Sequence, residues 1–94
     1  MKAINLLKKH EQTIRQKFHV KKIGIFGSFA RNEENETSDI DILVEFDPGC
    51  KTFDNYMELK YFIEGIFGRS VDLVTVAALK PQLKENILRE VIYA

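Results

Sequence analysis

Three aspartates stand inside otherwise apolar segments of this 94-residue chain, and they are the residues whose type and spacing point to chemistry. Asp39 and Asp41 flank one isoleucine in the run DIDILVEF, and Asp72 lies within the run SVDLVTV. Asp is disfavoured in strands and an unpaired buried carboxylate is costly, so each of the three needs a compensating partner. A divalent cation would serve, because all-oxygen ligand sets suit Mg²⁺ or Mn²⁺.

The alternation of apolar residues predicts that the aspartate pair lies on a strand. From Asp39 to Phe46 every second residue is Ile, Val or Phe. Residues two apart on a strand share a face, about 6.5 to 7 Å from each other, so the carboxylates of Asp39 and Asp41 would repel. An Asp-x-Asp pair in an acid-rich chain often lies in a solvated loop, and the alternation argues against that alternative here. If the strand of Asp72 lies alongside, the three acids form one cluster.

A second motif precedes the acids. Gly27 and Ser28 follow the β-branched run from Val20 to Phe26, which predicts a strand, and Ser28 is placed to cap one helical turn through Arg31. Gly allows close backbone approach, and the free amides at a helical start attract phosphate. Because the same pattern is also an ordinary N-cap, it gains meaning only beside the acids. A phosphate site next to a carboxylate-held metal is the layout for a nucleoside triphosphate.

The remaining elements follow from periodicity and turn residues. Helices are predicted from Ala3 to about Phe18, from Phe53 to Phe67 with Gly68 ending it, and from Pro81 to about Val91. A third strand is predicted over residues 70–76, a loop over 32–38 and a turn over 47–49. The order α-β-(short α)-β-α-β-α predicts an α+β fold, with a small three-stranded mixed sheet packed against helices.

Composition narrows the class of protein. A length of 94 residues, 45% of them hydrophobic, indicates one domain over residues 1–94. Lys and Arg together number 14, and so do Asp and Glu, so the formal net charge is zero. Formal neutrality argues against direct nucleic-acid binding. The single Cys50 excludes an internal disulfide framework, and no apolar run approaches the about 18 residues of a membrane span. We therefore expect a cytoplasmic protein without a membrane partner. Because the domain is small, we expect any large second reactant to be supplied by another chain.

Together the motifs resemble the Gly-Ser-x10-Asp-x-Asp signature of the DNA polymerase β-like nucleotidyltransferase superfamily, and so a polymerase β palm-like core. Ten residues separate Gly27-Ser28 from Asp39-Ile40-Asp41. The runs Val71–Val74 and Ile87–Glu90 look like those of the minimal nucleotidyltransferases, the MntA-type antitoxins paired with HEPN-domain toxins. Asn32 departs from this pattern, which usually has Gly there, but Asn tolerates left-handed geometry and can keep the turn.

The resemblance implies a transferase that moves AMP from ATP to a hydroxyl, with a tyrosine of the toxin as the acceptor and a hetero-oligomer as the assembly. It implies that Asp39 and Asp41 hold two Mg²⁺ ions, with Mn²⁺ as a substitute. Asp72 would bind the catalytic ion and help draw the proton from the attacking hydroxyl.

The phosphate-binding residues that the resemblance implies come from the Gly-Ser motif. Gly27 and Ser28 would position the β- and γ-phosphates of ATP. Arg31 would neutralise charge on the triphosphate or on the leaving pyrophosphate.

Two other functions remain open at this level. An antitoxin can neutralise its partner by binding and occlusion, in which case the exposed apolar residues and the basic first helix matter more than the carboxylates. A small-molecule nucleotidyltransferase of the aminoglycoside type shares the core, although 94 residues leave no second domain for such an acceptor.

Overall fold

The periodicity of the chain produces ten short elements in the computed structural model, which describes residues 2–94. The α-helices are α1 (Lys2–Lys9), α2 (Glu11–Phe18), α3 (Phe53–Phe67) and α4 (Pro81–Glu90). The strands are β1 (Val20–Phe26), β2 (Ile40–Phe46), β3 (Val71–Thr75) and β4 (Ile92–Tyr93). Single 3-10 turns at Gly27–Phe29 and Val76–Ala78 follow β1 and β3. The predicted α+β class is confirmed.

The sheet is mixed, as predicted, and its strand order is β3-β2-β1-β4. Strand β1 runs antiparallel to both β2 and β4, whereas β2 and β3 are parallel. Helix α3 makes the crossover that two parallel strands require. This crossover brings the strand of Asp72 beside the strand of Asp41, which the sequence left conditional.

The prediction of three strands is wrong, because the chain end adds β4 to the outer edge of β1. A strand of two residues is too short to show an alternating pattern. Gly24 makes the pairing possible, since a Cβ atom there would lie 2.7 Å from Cγ2 of Val91 and 2.8 Å from the carbonyl oxygen of Ile92. The amide of Ala94 then donates to the carbonyl of Ile23 at 2.9 Å.

The core lies between α1, α2 and α3 and one face of the sheet. Strand β2 presents Ile40, Ile42 and Val44 to it, all of them buried. Fully burying one such side chain contributes about 1.5 to 3 kcal/mol relative to leaving it exposed. A slip of one residue would turn Asp41 into this core, so the apolar face determines the register of β2.

The first predicted helix is broken in two, so the expectation of one continuous helix is wrong. His10 lies between α1 and α2 with φ −103° and ψ 4°, and its ring meets Phe62 of α3 edge-on with 6.1 Å between centroids. No Gly or Pro marks this break, so periodicity could not reveal it. The predicted apolar stripe is nevertheless buried, and it consists of Ile4, Leu7, Ile14 and Phe18.

Helix α3 has the predicted bounds, and both of its ends are capped. The Thr52 hydroxyl accepts from the amide of Asn55 at 3.1 Å, and Gly68 ends the helix with φ 66°. A left-handed residue at this position favours glycine.

No helix within residues 2–94 combines the length and apolar character that crossing a membrane requires.

Gly24→Ala is expected to release β4 while leaving the core intact, because the new Cβ collides with the chain end. We expect the free energy of unfolding to fall by about 1 to 3 kcal/mol. The amides of residues 91–94 should lose protection in hydrogen exchange. The matched control is Gly65→Ala in α3, where a Cβ meets nothing within 4 Å and a stabilisation of about 0.5 to 1 kcal/mol is expected. Unchanged protection of residues 91–94 in Gly24→Ala would contradict the packing described here.

Candidate active site

The parallel register of β2 and β3 brings the three predicted aspartates to one end of the two strands. Asp41 lies opposite Asp72 across the ladder, and Ile40 lies opposite Val71. Asp39 stands immediately before β2, which begins at Ile40 and not at Asp39 as predicted. The amide of Ile40 donates to the carbonyl of Ser70 at 3.1 Å, which ties this end of β2 to the approach of β3.

The carboxylates differ in their surroundings. Asp39 and Asp72 are exposed, whereas Asp41 is half-buried. Within residues 2–94, the ion pairs pair none of these three acids with a basic group. Partial burial raises the pKa of the Asp41 carboxyl above its ordinary value of 3.8, and the charges of Asp72 and Asp39 raise it further, while Arg31 opposes them.

The donor set fits a hard divalent cation. In the described part of the chain, no group of three acidic, histidine or cysteine side chains is already converged to hold an ion. Asp41 and Asp72 nevertheless face each other in register, and the repulsion felt by Asp41 is what a bound cation would relieve. Carboxylate oxygens alone suit Mg²⁺ or Mn²⁺. Binding requires the exposed Asp39 and Asp72 side chains to turn toward Asp41.

Gly27 places the backbone after β1 directly against the half-buried carboxylate. Its φ is +75°, and a Cβ atom at this position would stand 2.0 Å from Oδ2 of Asp41. The conformation favours glycine, and any Cβ atom here would force the Asp41 side chain to move. The left-handed residue starts the 3-10 turn at Gly27, with Phe26 at the N-cap position and no side-chain cap. The expectation that Ser28 caps this turn is therefore wrong.

Arg31 lies just beyond this turn and is held by two acids. Its Nε donates to Oε2 of Glu33 at 3.1 Å, and its Nη1 donates to Oε1 of Glu90. The hydrogen bond to Glu90, then that to Glu33, raises the pKa of Arg31. Glu90 also accepts from the amide of Gly27 at 3.3 Å. Glu90 lies in the predicted closing run Ile87–Glu90, but no local pattern there indicates a contact with Gly27 or Arg31.

The loop between the Gly-Ser motif and the acids is organised by two residues. Asn32 takes φ 58°, so the expectation that Asn keeps the left-handed turn is confirmed. Arg69, which the sequence patterns did not single out, donates to the carbonyl of Ser38 at 2.9 Å and lies 5.0 Å from the Phe29 ring centroid. It thereby ties the residue before Asp39 to the turn after β1. No local pattern marks Arg69, because its partners are more than 30 residues away.

A second missed residue supports the strand of Asp72. Oε2 of Glu64, in the last turn of α3, accepts from the amide of Val71 at 3.0 Å. This bond fixes the start of β3, one residue before Asp72.

A cavity of about 570 Å³ lies further along β3, between this strand and the first turn of α3. It is lined from the strand by Leu73, Val74 and Thr75 rather than by the aspartates.

The sequence matches known proteins over nearly its whole length. Residues 7–94 match the nucleotidyltransferase domain family. Protein adenylyltransferase MntA of Thermococcus cleftensis is 39% identical over 89 residues, which cover 95% of this chain and 89% of that protein. A proposed protein adenylyltransferase of Methanocaldococcus jannaschii is 43% identical over 90 residues, covering 94% of this chain and 90% of the relative.

Solved structures share the architecture. A proposed minimal nucleotidyltransferase has a TM-score of 0.80 at 36% identity, and the match covers 96% of this chain and 93% of the other. A toxin-antitoxin crystal structure with AMP-PNP has a TM-score of 0.73 at 19% identity, covering 92% and 70%. At that identity the second likeness shows the fold alone.

Asp41→Asn is expected to stabilise the fold near neutral pH. Because the pKa of Asp41 is raised in the folded chain, the folded state binds its proton more tightly, and stability falls as pH rises from 3.8 through the raised value. The substituted amide carries no charge, so the gain in the free energy of unfolding over the parent should be full above that range. The gain should vanish below pH 3.8, where Asp41 is protonated in both the folded and the unfolded parent.

Thermal melts across this pH range, with a chelator present, measure the effect. Glu58→Gln on the exposed surface of α3 is the control, and it should show no such pH-dependent gain. An Asp41→Asn chain that melts below the parent at neutral pH would contradict the repulsion.

Proposed function

The chain belongs to the nucleotidyltransferase domain family, and from that premise we propose that it transfers AMP from ATP to a hydroxyl group of a partner protein. The observation that carries the proposal is the register of Asp41 with Asp72, with Gly27 packed against the Asp41 carboxylate. The relatives named protein adenylyltransferases favour a protein acceptor over a small molecule of the aminoglycoside type.

In this proposal Asp39, Asp41 and Asp72 hold Mg²⁺, with two ions in the working site and Mn²⁺ as a substitute. When bound, such ions neutralise phosphate charge and lower the pKa of a coordinated hydroxyl. The half-buried Asp41 is the central ligand, because it is in register with Asp72 and two residues from Asp39, and both charges raise its pKa. The raised pKa of Asp41 supports this role, since a cation would favour its ionised form.

The chain's own residues then have separable tasks. Gly27 and Ser28 bind the β- and γ-phosphates, and Arg31 faces the charge of the triphosphate or of the leaving pyrophosphate. The acceptor oxygen attacks the α-phosphorus, the bond from the α-phosphorus to the oxygen bridging the β-phosphate breaks, and pyrophosphate leaves. The Asp72 carboxylate receives the hydroxyl proton as the new phosphorus–oxygen bond forms.

The proposed acceptor is a tyrosine of a HEPN-type toxin, which this chain would silence in the cytoplasm as the antitoxin of a hetero-oligomer. Support comes from the relative named protein adenylyltransferase MntA, and from the fold that this chain shares with a chain of a toxin-antitoxin structure with AMP-PNP. Large apolar side chains also stand exposed on the surface, as a protein-binding chain would have them. They are Phe53 at 76%, Tyr61 at 62% and Leu83 at 50% of full exposure.

Asp39→Asn and Asp41→Asn should each reduce AMP transfer at least about a hundredfold, because each removes a carboxylate that holds the ions neutralising the phosphate charge. The assay mixes the chain with ATP labelled at the α-phosphate and the protein encoded by the adjacent reading frame, and counts label on that protein. Glu58→Gln is the control and should transfer normally. Circular dichroism should be unchanged in all variants, and undiminished transfer in either aspartate variant would overturn the metal assignment.

Co-expression separates catalysis from occlusion. The Asp39→Asn, Asp41→Asn double variant keeps the apolar surface but lacks the proposed metal ligands. We expect it to bind the partner and fail to protect cells, with growth lowered to the level of partner alone. Mass spectrometry of the partner should then show no AMP. Full protection without an AMP mark would support neutralisation by occlusion instead.

A further inference from the structure

Glu90, the last residue of α4, reaches back to the motif that follows β1. Its Oε2 accepts from the Gly27 amide at 3.3 Å, and its Oε1 accepts from the Arg31 guanidinium. In sequence the contacts span 63 and 59 residues. Gly27 and Arg31 are two of the groups that the proposed function assigns to the triphosphate.

A carboxylate bound in this way presents the same pattern as a phosphate. It offers two anionic acceptor oxygens to one backbone amide and one guanidinium, the donors that phosphate groups use in proteins. The Gly27 N–H has one proton to donate and cannot give Oε2 and a phosphate oxygen a full hydrogen bond at once. Glu90 also adds its negative charge beside Asp41. A triphosphate entering the proposed site therefore meets Glu90 as a competitor for the same donors.

The segment that carries Glu90 is lightly held. All ten residues of α4 are exposed or only partly buried, and Leu83 and Leu88 are 50% and 39% exposed. Beyond Glu90, the chain is attached through the two-residue strand β4. Few buried apolar contacts imply a low free energy of local opening. The Glu90 contacts therefore add to a small attachment, and none of the buried core residues lies in α4.

We propose that Glu90 is an internal occupant of the triphosphate position, and that nucleotide binding displaces it and loosens residues 81–94 from the domain. The inference rests on the proposed function, because it takes the Gly27 amide and Arg31 as phosphate-binding groups. It makes α4 the element whose position reports whether nucleotide is bound. The opposite role, a Glu90 that holds Arg31 in place for the nucleotide, predicts effects of opposite sign.

Nucleotide affinity distinguishes the two roles. The probe is the α,β-methylene analogue of ATP with Mg²⁺, whose reacting bond cannot break, titrated by calorimetry into the full chain. Glu90→Gln should bind it about three- to tenfold more tightly than the parent, since a charged hydrogen-bonded competitor is removed. Inorganic tripolyphosphate with Mg²⁺ should show a gain in the same direction, because the competition concerns phosphate alone.

Two controls separate displacement from a general change of charge. Glu33→Gln also removes an acid from Arg31 but frees no backbone amide, so its gain should be smaller than that of Glu90→Gln. Glu85→Gln removes an exposed acid of α4 that pairs with Arg89, and it should leave affinity unchanged. Equal gains in Glu33→Gln and Glu90→Gln would overturn the inference, as would weaker binding by Glu90→Gln.

Hydrogen exchange tests the movement of the segment. In the parent chain, adding the analogue should lower protection of the amides of residues 81–94, including that of Ala94, which donates to Ile23. Glu90→Gln should show the lowered protection before any nucleotide is added. Increased protection of these amides on nucleotide binding would overturn the inference.

The binding readout keeps this inference apart from the proposed function. A parent chain that binds the analogue and responds to Glu90→Gln as expected, but transfers no AMP, would count against the proposed reaction alone. A parent chain that binds the analogue with the same affinity as Glu90→Gln would overturn the inference and leave the reaction standing. Failure of the parent and all variants to bind would overturn both.

Discussion

The placement of acidic side chains at one end of the parallel strands β2 and β3 is the constraint on which the candidate site depends. Asp41 stands opposite Asp72 on the parallel strands β2 and β3, and its pKa is raised by partial burial and by the charges of Asp72 and Asp39. Nothing local favours such an arrangement, and the free energy that maintains it comes from the opposite face of β2, where Ile40, Ile42 and Val44 lie buried under the helices. Titratable groups whose pKa is shifted by burial and by a neighbouring charge are concentrated at functional sites.

Glycine connects this unfavourable cluster to the rest of the chain at two close approaches. Gly27 has left-handed φ and lets the backbone approach the Asp41 carboxylate, which a Cβ atom at this position would displace. Gly24, three residues earlier on β1, lets the chain end pack against the strand. Glu90, the last residue of α4 before this chain end, accepts hydrogen bonds from the Gly27 amide and from Arg31. The proposed phosphate-binding groups and the C-terminal segment are thus mechanically connected.

Stability is distributed unevenly in a way that suits the proposed chemistry. Helices α1, α2 and α3 carry the buried residues, whereas α4 carries none. Segments with few buried contacts open at low free energy, and moving parts of proteins are drawn from them. The strands that carry the carboxylates are anchored in the core, whereas α4 is lightly held, so ligand binding can move α4 without disturbing the core.

Periodicity and local motifs determined the elements that local patterns encode: β1, the bounds of α3, the left-handed Asn32, and the position of Gly27 beside an acid. The site roles of these residues remain predictions. Tertiary structure alone decided the rest. The break at His10 lies where its ring meets Phe62, the two-residue β4 packs against the space left at Gly24, and Arg69 and Glu90 bond to partners that are distant in sequence. Apolar residues recur every two residues in strands and every three or four in helices, so local sequence reveals them. A single long-range hydrogen bond produces no such repeat, because the fold determines which distant residue becomes its partner.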